Sequence, residues 1–363
     1  MASQVTNYQC PACTGPLHFV GSSGKLECDY CGSTYTVEYI ESLFKDKNEQ
    51  AAQNTSQTQM EGEWAFDTHT DWGVNMKAYN CPSCGAELIC EETTAATSCP
   101  YCGNPTVIPG QFSGGMKPEY ILPFKLSKED AVAALKKHYH GKKLLPRVFS
   151  QQNHLEEVKG IYVPFWLFDA EGDGDVSFAA QNTRVFRQGD YEITETDHFQ
   201  VRRAGSVQFQ RIPADASSKM PDDYMDSIEP FDYGELKPFS AAYLPGFLAD
   251  KYDVDKDACA ERADRRASVS VVDVLRSTVT GYETVTVSGE SVNVRRGKIS
   301  YALMPVWLLS TRWKEQNYLF AMNGQTGKMV GNLPIDKGRQ WGYFFGTFAA
   351  AAVVINLLMG LLG

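Results

Sequence analysis

Four cysteines, Cys10, Cys13, Cys28 and Cys31, form two Cys-x-x-Cys pairs with fourteen residues between them. No other feature restricts the fold so tightly. Two thiolates at i and i+3 bite one metal ion from a tight turn, and two such pairs complete a tetrahedron of sulfurs, the closed geometry of a structural zinc ion. The gap between the pairs fits a short hairpin, as in a zinc ribbon. The device recurs as Cys81, Cys84, Cys99 and Cys102, at an offset of 71. Pro11, Leu17, Tyr30 and Gly32 then map onto Pro82, Leu88, Tyr101 and Gly103. Glycine follows the second cysteine at Gly32, Gly85 and Gly103, where it frees the backbone to turn its amides toward sulfur; Thr14 breaks the pattern, with Gly15 beside it. A redox role is the competing reading of a lone Cys-x-x-Cys, but matched pairs at one spacing, twice, favour two structural Zn²⁺ ions. Zinc would then supply the folding energy of each small unit, on the order of 10–16 kcal/mol.

Charge bears on what such ribbons hold. The chain has 363 residues and a formal net charge of −10, which argues against a protein built mainly to neutralise phosphates. Residues 1–40 carry Lys25 against Glu27, Asp29 and Glu38; residues 76–110 carry Lys77 against Glu87, Glu91 and Glu92. Both units are acidic before metal binding, and four thiolates around one Zn²⁺ add more negative charge. Such a surface suits a protein partner better than a phosphate backbone. The alternative is a membrane-tethered nucleic-acid binder. The other two cysteines, Cys90 and Cys259, read as buried small hydrophobes. MASQVTNYQC has neither the charged region nor the apolar run of a signal peptide, so the thiolates are expected in a reducing compartment.

The sequence divides into a first ribbon at 1–40, a flexible Gln/Asn/Thr-rich linker at 41–75, a second ribbon at 76–110, an α+β domain at 119–335 and an apolar segment at 341–363. In the large domain YVPFWLFDA, from Tyr162, and LMPVWLLST, from Leu303, echo each other at an offset of 141. Both read as central strands covered on both faces, because they are apolar nearly throughout. The echo points to a duplicated unit within a largely antiparallel sheet. Asp173-Gly174 and Gly189-Asp190 read as turns, and Asn323-Gly324 with Thr326-Gly327 as a tight hairpin. Ser127 and Asp130 open one helix with a capping box, ending at Gly141, with Val132, Leu135 and Tyr139 on its apolar face. A longer helix starts at Asp255.

Other motifs are weak. DAEGDGD, from Asp169, starts like a calcium loop, but its twelfth position is Ala180 and the bidentate acid is missing; it reads as a hairpin. His138 and His140 are two apart on a helix and point different ways. Arg184, Arg187, Arg202, Arg203 and Arg211 interleave with acids and read as solvated strand faces. No phosphate loop, GxSxG or HExxH is present, and no catalytic constellation emerges.

Residues 341–363 hold no charge and one strongly polar side chain, Asn356. As a helix they would reach roughly 34 Å, enough for a ~30 Å hydrocarbon core. With Lys337 and Arg339 before them, the expectation is a tail-anchored, single-pass protein in the cell membrane, with residues 1–340 cytoplasmic. Gly342, Gly346 and Ala350 form a small-residue stripe suited to helix pairing.

The paired ribbons, YVPFWLF, SIEPFDYGELKPFSAAYLPGFLADKYDVD, FAMNGQTGKMVGNLP and the terminal segment together resemble the bacterial TFIIB-type zinc-ribbon membrane proteins. Members of that group often carry primosomal-helicase-like or phage-replication labels, yet no helicase motif is present here. The resemblance implies a non-catalytic membrane adaptor in envelope stress, working with SPFH-domain (flotillin-like) and phage-shock-protein A partners.

Overall fold

The computed structural model describes residues 3–4, 8–45, 76–81, 87–91, 93–99, 105–108, 117–146, 149, 158–313 and 316–362. The protein is an α+β fold dominated by sheet. The first unit is a three-stranded antiparallel sheet of β2 (Leu17–Val20), β3 (Lys25–Cys28) and β4 (Thr34–Tyr35), followed by a short helix over residues 37–45. The short β1 (Ser3–Gln4) runs parallel to β5 (Met76–Asn80), and β5 pairs antiparallel with β6 (Glu87–Glu91). The sequence repeat is also a repeat of strand register. Leu26↔Tyr35 and Glu27↔Thr34 in the first unit become Thr97↔Thr106 and Ser98↔Pro105 between β7 (Thr94–Ser98) and β8 (Pro105–Val107).

The remaining strands are β9 (Tyr120–Ile121), β10 (Lys159–Gln188), β11 (Tyr191–Asp215), β12 (Lys237–Pro238), β13 (Leu248–Asp250), β14 (Thr284–Trp313), β15 (Gln316–Asn323) and β16 (Met329–Gly331). With β7 and β8 they form one sheet, ten-stranded among the described residues. At its centre β10 and β14 run antiparallel, Tyr162 opposite Pro305 and Pro164 opposite Leu303. The two echoing segments are therefore the two central strands. Each tryptophan of the echo donates its indole N–H to a main-chain carbonyl, Trp166 to Val254 at 3.0 Å and Trp307 to Leu126 at 3.2 Å.

β10 changes character along its length. Gly160 to Phe168 are all buried, because both faces of the sheet's base are covered. Ile161, Val163, Phe165 and Leu167 meet Met225, Ile228 and Phe231 on one side; Tyr162, Trp166 and Phe168 meet the main core on the other. From Gly172 onward burial alternates, because one face alone is covered there. The cover is α3 (Lys256–Ser277), which follows α1 (Lys128–Tyr139) and α2 (Asp222–Ser227) in the chain. Ala260, Ala263, Ala267, Val271 and Leu275 recur at helical spacing and face the sheet. Val271 lies so close that a Cβ on Gly172 or Gly174 would meet its methyls at 2.6 and 2.5 Å. This corrects the expectation of a hairpin at Asp173-Gly174. The glycines admit a helix, not a turn, and the acids Glu171, Asp173 and Asp175 share the outer strand face with Arg295 and Arg202. The turn at Gly189, φ +65°, does form and joins β10 to β11 at Gln188↔Tyr191.

The capping box of α1 is present, with the Asp130 amide donating to the Ser127 hydroxyl and the Ser127 amide to the Asp130 carboxylate. The segments that carried the family resemblance interlock. Asn323 Nδ2 donates to the carbonyls of Ile228 and Pro230 at 3.0 and 3.2 Å, and the Asp232 amide donates to Gln325 at 2.8 Å.

At the C-terminus a helix forms, α4 (Lys337–Leu362). The expectation that it spans a membrane is corrected: among the described residues no helix is long and apolar enough to cross one. The tail-anchored, single-pass placement in the cell membrane, with residues 1–340 cytoplasmic, falls with that finding.

Candidate metal centre

The first cysteine set converges. The sulfurs of Cys10, Cys13, Cys28 and Cys31 all lie within 4.8 Å of one another. Cys10–Cys31 is 3.6 Å and Cys13–Cys28 is 3.4 Å, close to the ~3.8 Å between ligands of a tetrahedral site with metal–sulfur bonds of about 2.3 Å. This group can hold a metal ion.

Two equivalent turns build it. In the first, the Cys10 amide donates to the Gly15 carbonyl at 2.7 Å and the Thr14 amide to the Cys10 carbonyl at 2.8 Å. In the second, the Cys28 amide donates to Ser33 at 3.0 Å and the Gly32 amide to Cys28 at 2.9 Å. Both need a left-handed residue after the second cysteine. Gly32 supplies it at φ +69°, and Thr14 adopts φ +60° despite its branched side chain. The departure from glycine at Thr14 therefore leaves the geometry intact and places the strain in one residue.

The sulfurs also shift one another's ionisation. The Cys31 thiol is drawn down to about 6 by the Ser33 hydroxyl and amide. At Cys13 the Gly15 amide pulls downward, but the neighbouring Cys31 and Cys28 sulfurs win and push the thiol up to about 12. Closely spaced sulfurs cannot all ionise without positive charge among them. Tyr35, 3.4 Å from the Cys10 sulfur, and Ser33, 3.2 Å from that of Cys31, complete the surroundings. Sequence reasoning missed both. The signal for Tyr35 was alternation, since β4 must turn one of its two residues inward.

Of the second set, Cys81 and Cys99 are buried together with Tyr79 and Ile108; Cys84 and Cys102 lie outside the described residues, as does most of the expected linker. Cys90 is half-buried. Cys259 is buried, its thiol donating to the Asp215 carbonyl at 3.4 Å. Gly342, Gly346 and Ala350 share one face of α4 with Tyr343 and Thr347.

The first unit is docked rather than detached. Phe19 packs edge-on to Tyr243 at 5.1 Å, and its amide donates to the Pro245 carbonyl at 2.9 Å. Between the unit and the sheet lies a cleft of about 570 Å³, with His18, Asp29, Lys128, Phe247 and Trp307 on its walls. His18 pairs with Asp29 at 3.1 Å. On the outer side of the same knuckle Tyr30 rests over Gly15 with 75% of its surface exposed.

Elsewhere several charged groups are paired. Arg262 reaches Asp215 at 2.5 Å and Asp222 at 2.7 Å, while Arg266 binds Glu229 through both nitrogens. These pairs clamp α3 to α2 and to the end of β11. In the basic cluster Arg184 meets Asp197 at 3.1 Å, Arg202 grips Asp175, and Arg211 donates to the Tyr233 carbonyl at 2.9 Å.

No family profile and no solved structure matches the chain. It is 34% identical to the uncharacterized protein YdjG of Bacillus subtilis (strain 168) over 360 residues, 98% of this chain and 99% of the relative. The ribbon, the sheet and the terminal helix thus fall inside one shared full-length pattern, and the chain belongs to the family of YdjG.

Proposed function

We propose that the protein is a non-catalytic adaptor whose metal-clipped N-terminal unit grips a protein partner. The observation that carries this reading is Tyr30, largely exposed on an acidic knuckle beside the metal centre. A rigid aromatic with a polar tip, held between two ligating cysteines, is a typical anchor of protein interfaces. The metal is zinc, because four thiolates with no open position are its structural donor set. Cys81, Cys84, Cys99 and Cys102 hold a second ion of the same kind. SPFH-domain and phage-shock-protein A types are the partners the sequence resemblance nominates.

Two variants test this. Cys13→Ser should lower bound zinc, measured by elemental mass spectrometry, by one ion per chain; unchanged zinc would remove the four-thiolate assignment. Tyr30→Ala should keep its zinc yet bind a purified SPFH-domain partner roughly tenfold more weakly. Titration of the same samples with duplex DNA is the counter-test. Retention that falls steeply with salt, with no protein binding, would replace the adaptor by a nucleic-acid binder.

A further inference from the structure

Beyond the metal unit, the sheet extends as a three-stranded arm. Its order is β11, β10 and β14, and among the described residues the outer edge of β11 pairs with nothing. Such an edge is a ready template for another strand, and proteins usually blunt it with proline, lysine, bulges or brevity. The two edges of this arm differ. Both pairings shift register opposite Phe168/Ala170, but that of β14 is broken again opposite Ser177/Phe178, and β14 carries Lys298. That of β11 runs in unbroken register from Tyr191 to Phe209, with no proline before Pro213 and no lysine at all.

The two halves of the β11 edge also differ in charge. Its first half carries Glu192, Glu195 and Asp197; its second half carries Arg202 and Arg203. A parallel copy would set like charges side by side, whereas an antiparallel copy sets acids against arginines. Arg202 is already held by Asp175. Arg203 has no carboxylate partner among the described residues and donates to the Arg202 carbonyl at 3.0 Å. Of the two nearby acids, Asp197 is held by Arg184 at 3.1 Å and Glu195 more loosely at 3.6 Å. Phe199, midway between Glu195 and Arg203, is 41% exposed although it touches the Tyr282 ring.

We infer that β11 is a homodimer edge. Two copies pair antiparallel about a two-fold axis at Phe199, Glu195 of each copy opposite Arg203 of the other. The interface is isologous. It continues the two arms into one six-stranded sheet with both α3 helices on the same face, since opposed residues keep the same side. The pairing is independent of the metal-site reading and stands or falls separately from it.

Cross-linking of the purified full chain tests the register. Phe199→Cys places two sulfurs on opposed residues with Cα atoms about 4.5–5.5 Å apart, within disulfide reach. It should form a covalent dimer in mild oxidant. Gln208→Cys, whose copies would lie roughly 60 Å apart at ~3.4 Å per residue, should not. By sedimentation, Arg203→Glu and Glu195→Arg should each weaken the dimer roughly 10- to 30-fold, and the double variant should restore it. Both are surface changes, and circular dichroism checks their fold. A monomer at tens of micromolar would overturn the proposal. So would a dimer indifferent to Arg203→Glu, or equal cross-linking through Gln208→Cys.

Discussion

Thr14 shows how much one residue can carry. The metal knuckle needs a left-handed residue after its second cysteine, and a β-branched side chain at φ +60° is strained by roughly 1–2 kcal/mol. The converging sulfurs, fixed by two equivalent sets of backbone hydrogen bonds, hold it there. Thr14→Gly should therefore stabilise the first unit by about 1 kcal/mol, after the greater entropy glycine loses on folding. The check is the chelator concentration at which the unit releases metal, which should rise; a fall would mean that the Thr14 hydroxyl, bonded to the Cys13 carbonyl at 2.6 Å, matters more than the strain. The convergence of Cys10, Cys13, Cys28 and Cys31 was legible from spacing alone. Tyr30 and Tyr35 were not, because their roles depend on which strand faces the metal and which faces solvent.

Among the elements, α3 decides how the sheet behaves. It covers one face of the arm through small residues at helical spacing, and its arginines reach back to the acids at the end of β11 and on α2. Asp215 is only 2% exposed, and burial lifts its carboxyl to about 6; Arg262 draws it down, while Asp222 and Asp226 push it up. Burial lifts Glu229 in the same direction. A raised carboxyl holds its proton in the folded state after the unfolded chain has lost it. Its contribution to stability is present below about pH 4 and is lost as pH rises through about 6. Asp215→Asn should flatten that part of the profile. Urea midpoints of both proteins between about pH 4 and 6 measure it, and parallel profiles would show that Asp215 does not titrate there. The helix itself was plain in the sequence. Its seat was not: Gly172 and Gly174 read as turn residues because glycine in sequence does not say whether a bend or a neighbour requires it.

For the whole molecule, the question is whether the metal unit and the sheet stand apart. Phe19 against Tyr243, and the Phe19 amide on Pro245, join them. Gly21 lies against the Phe124 backbone, where a Cβ would meet the carbonyl oxygen at 2.3 Å. Full burial of one such phenylalanine contributes roughly 1.5–3 kcal/mol. Stripping the metal should therefore lower the unfolding temperature of the sheet, followed by the emission of buried Trp166 and Trp307, by a few degrees. An unmoved transition would show that the docking adds nothing to the sheet's stability.

The cysteine set, the repeat, the central strands and the helix caps were determined by sequence, because each depends on short-range spacing: ligand bite, strand alternation, the first turn of a helix. Only the tertiary structure decided what those elements touch. It set the first unit on the sheet, brought β7 beside β13, and turned an apparent hairpin into the seat of α3. It joined Asn323 and Gln325 to a loop far away in sequence and, among the described residues, left β11 with an open edge. At the C-terminus the apolar composition had implied a membrane span, whereas the described helix falls short of one. Such contacts lie between residues tens to hundreds of positions apart, and local propensity carries no record of them.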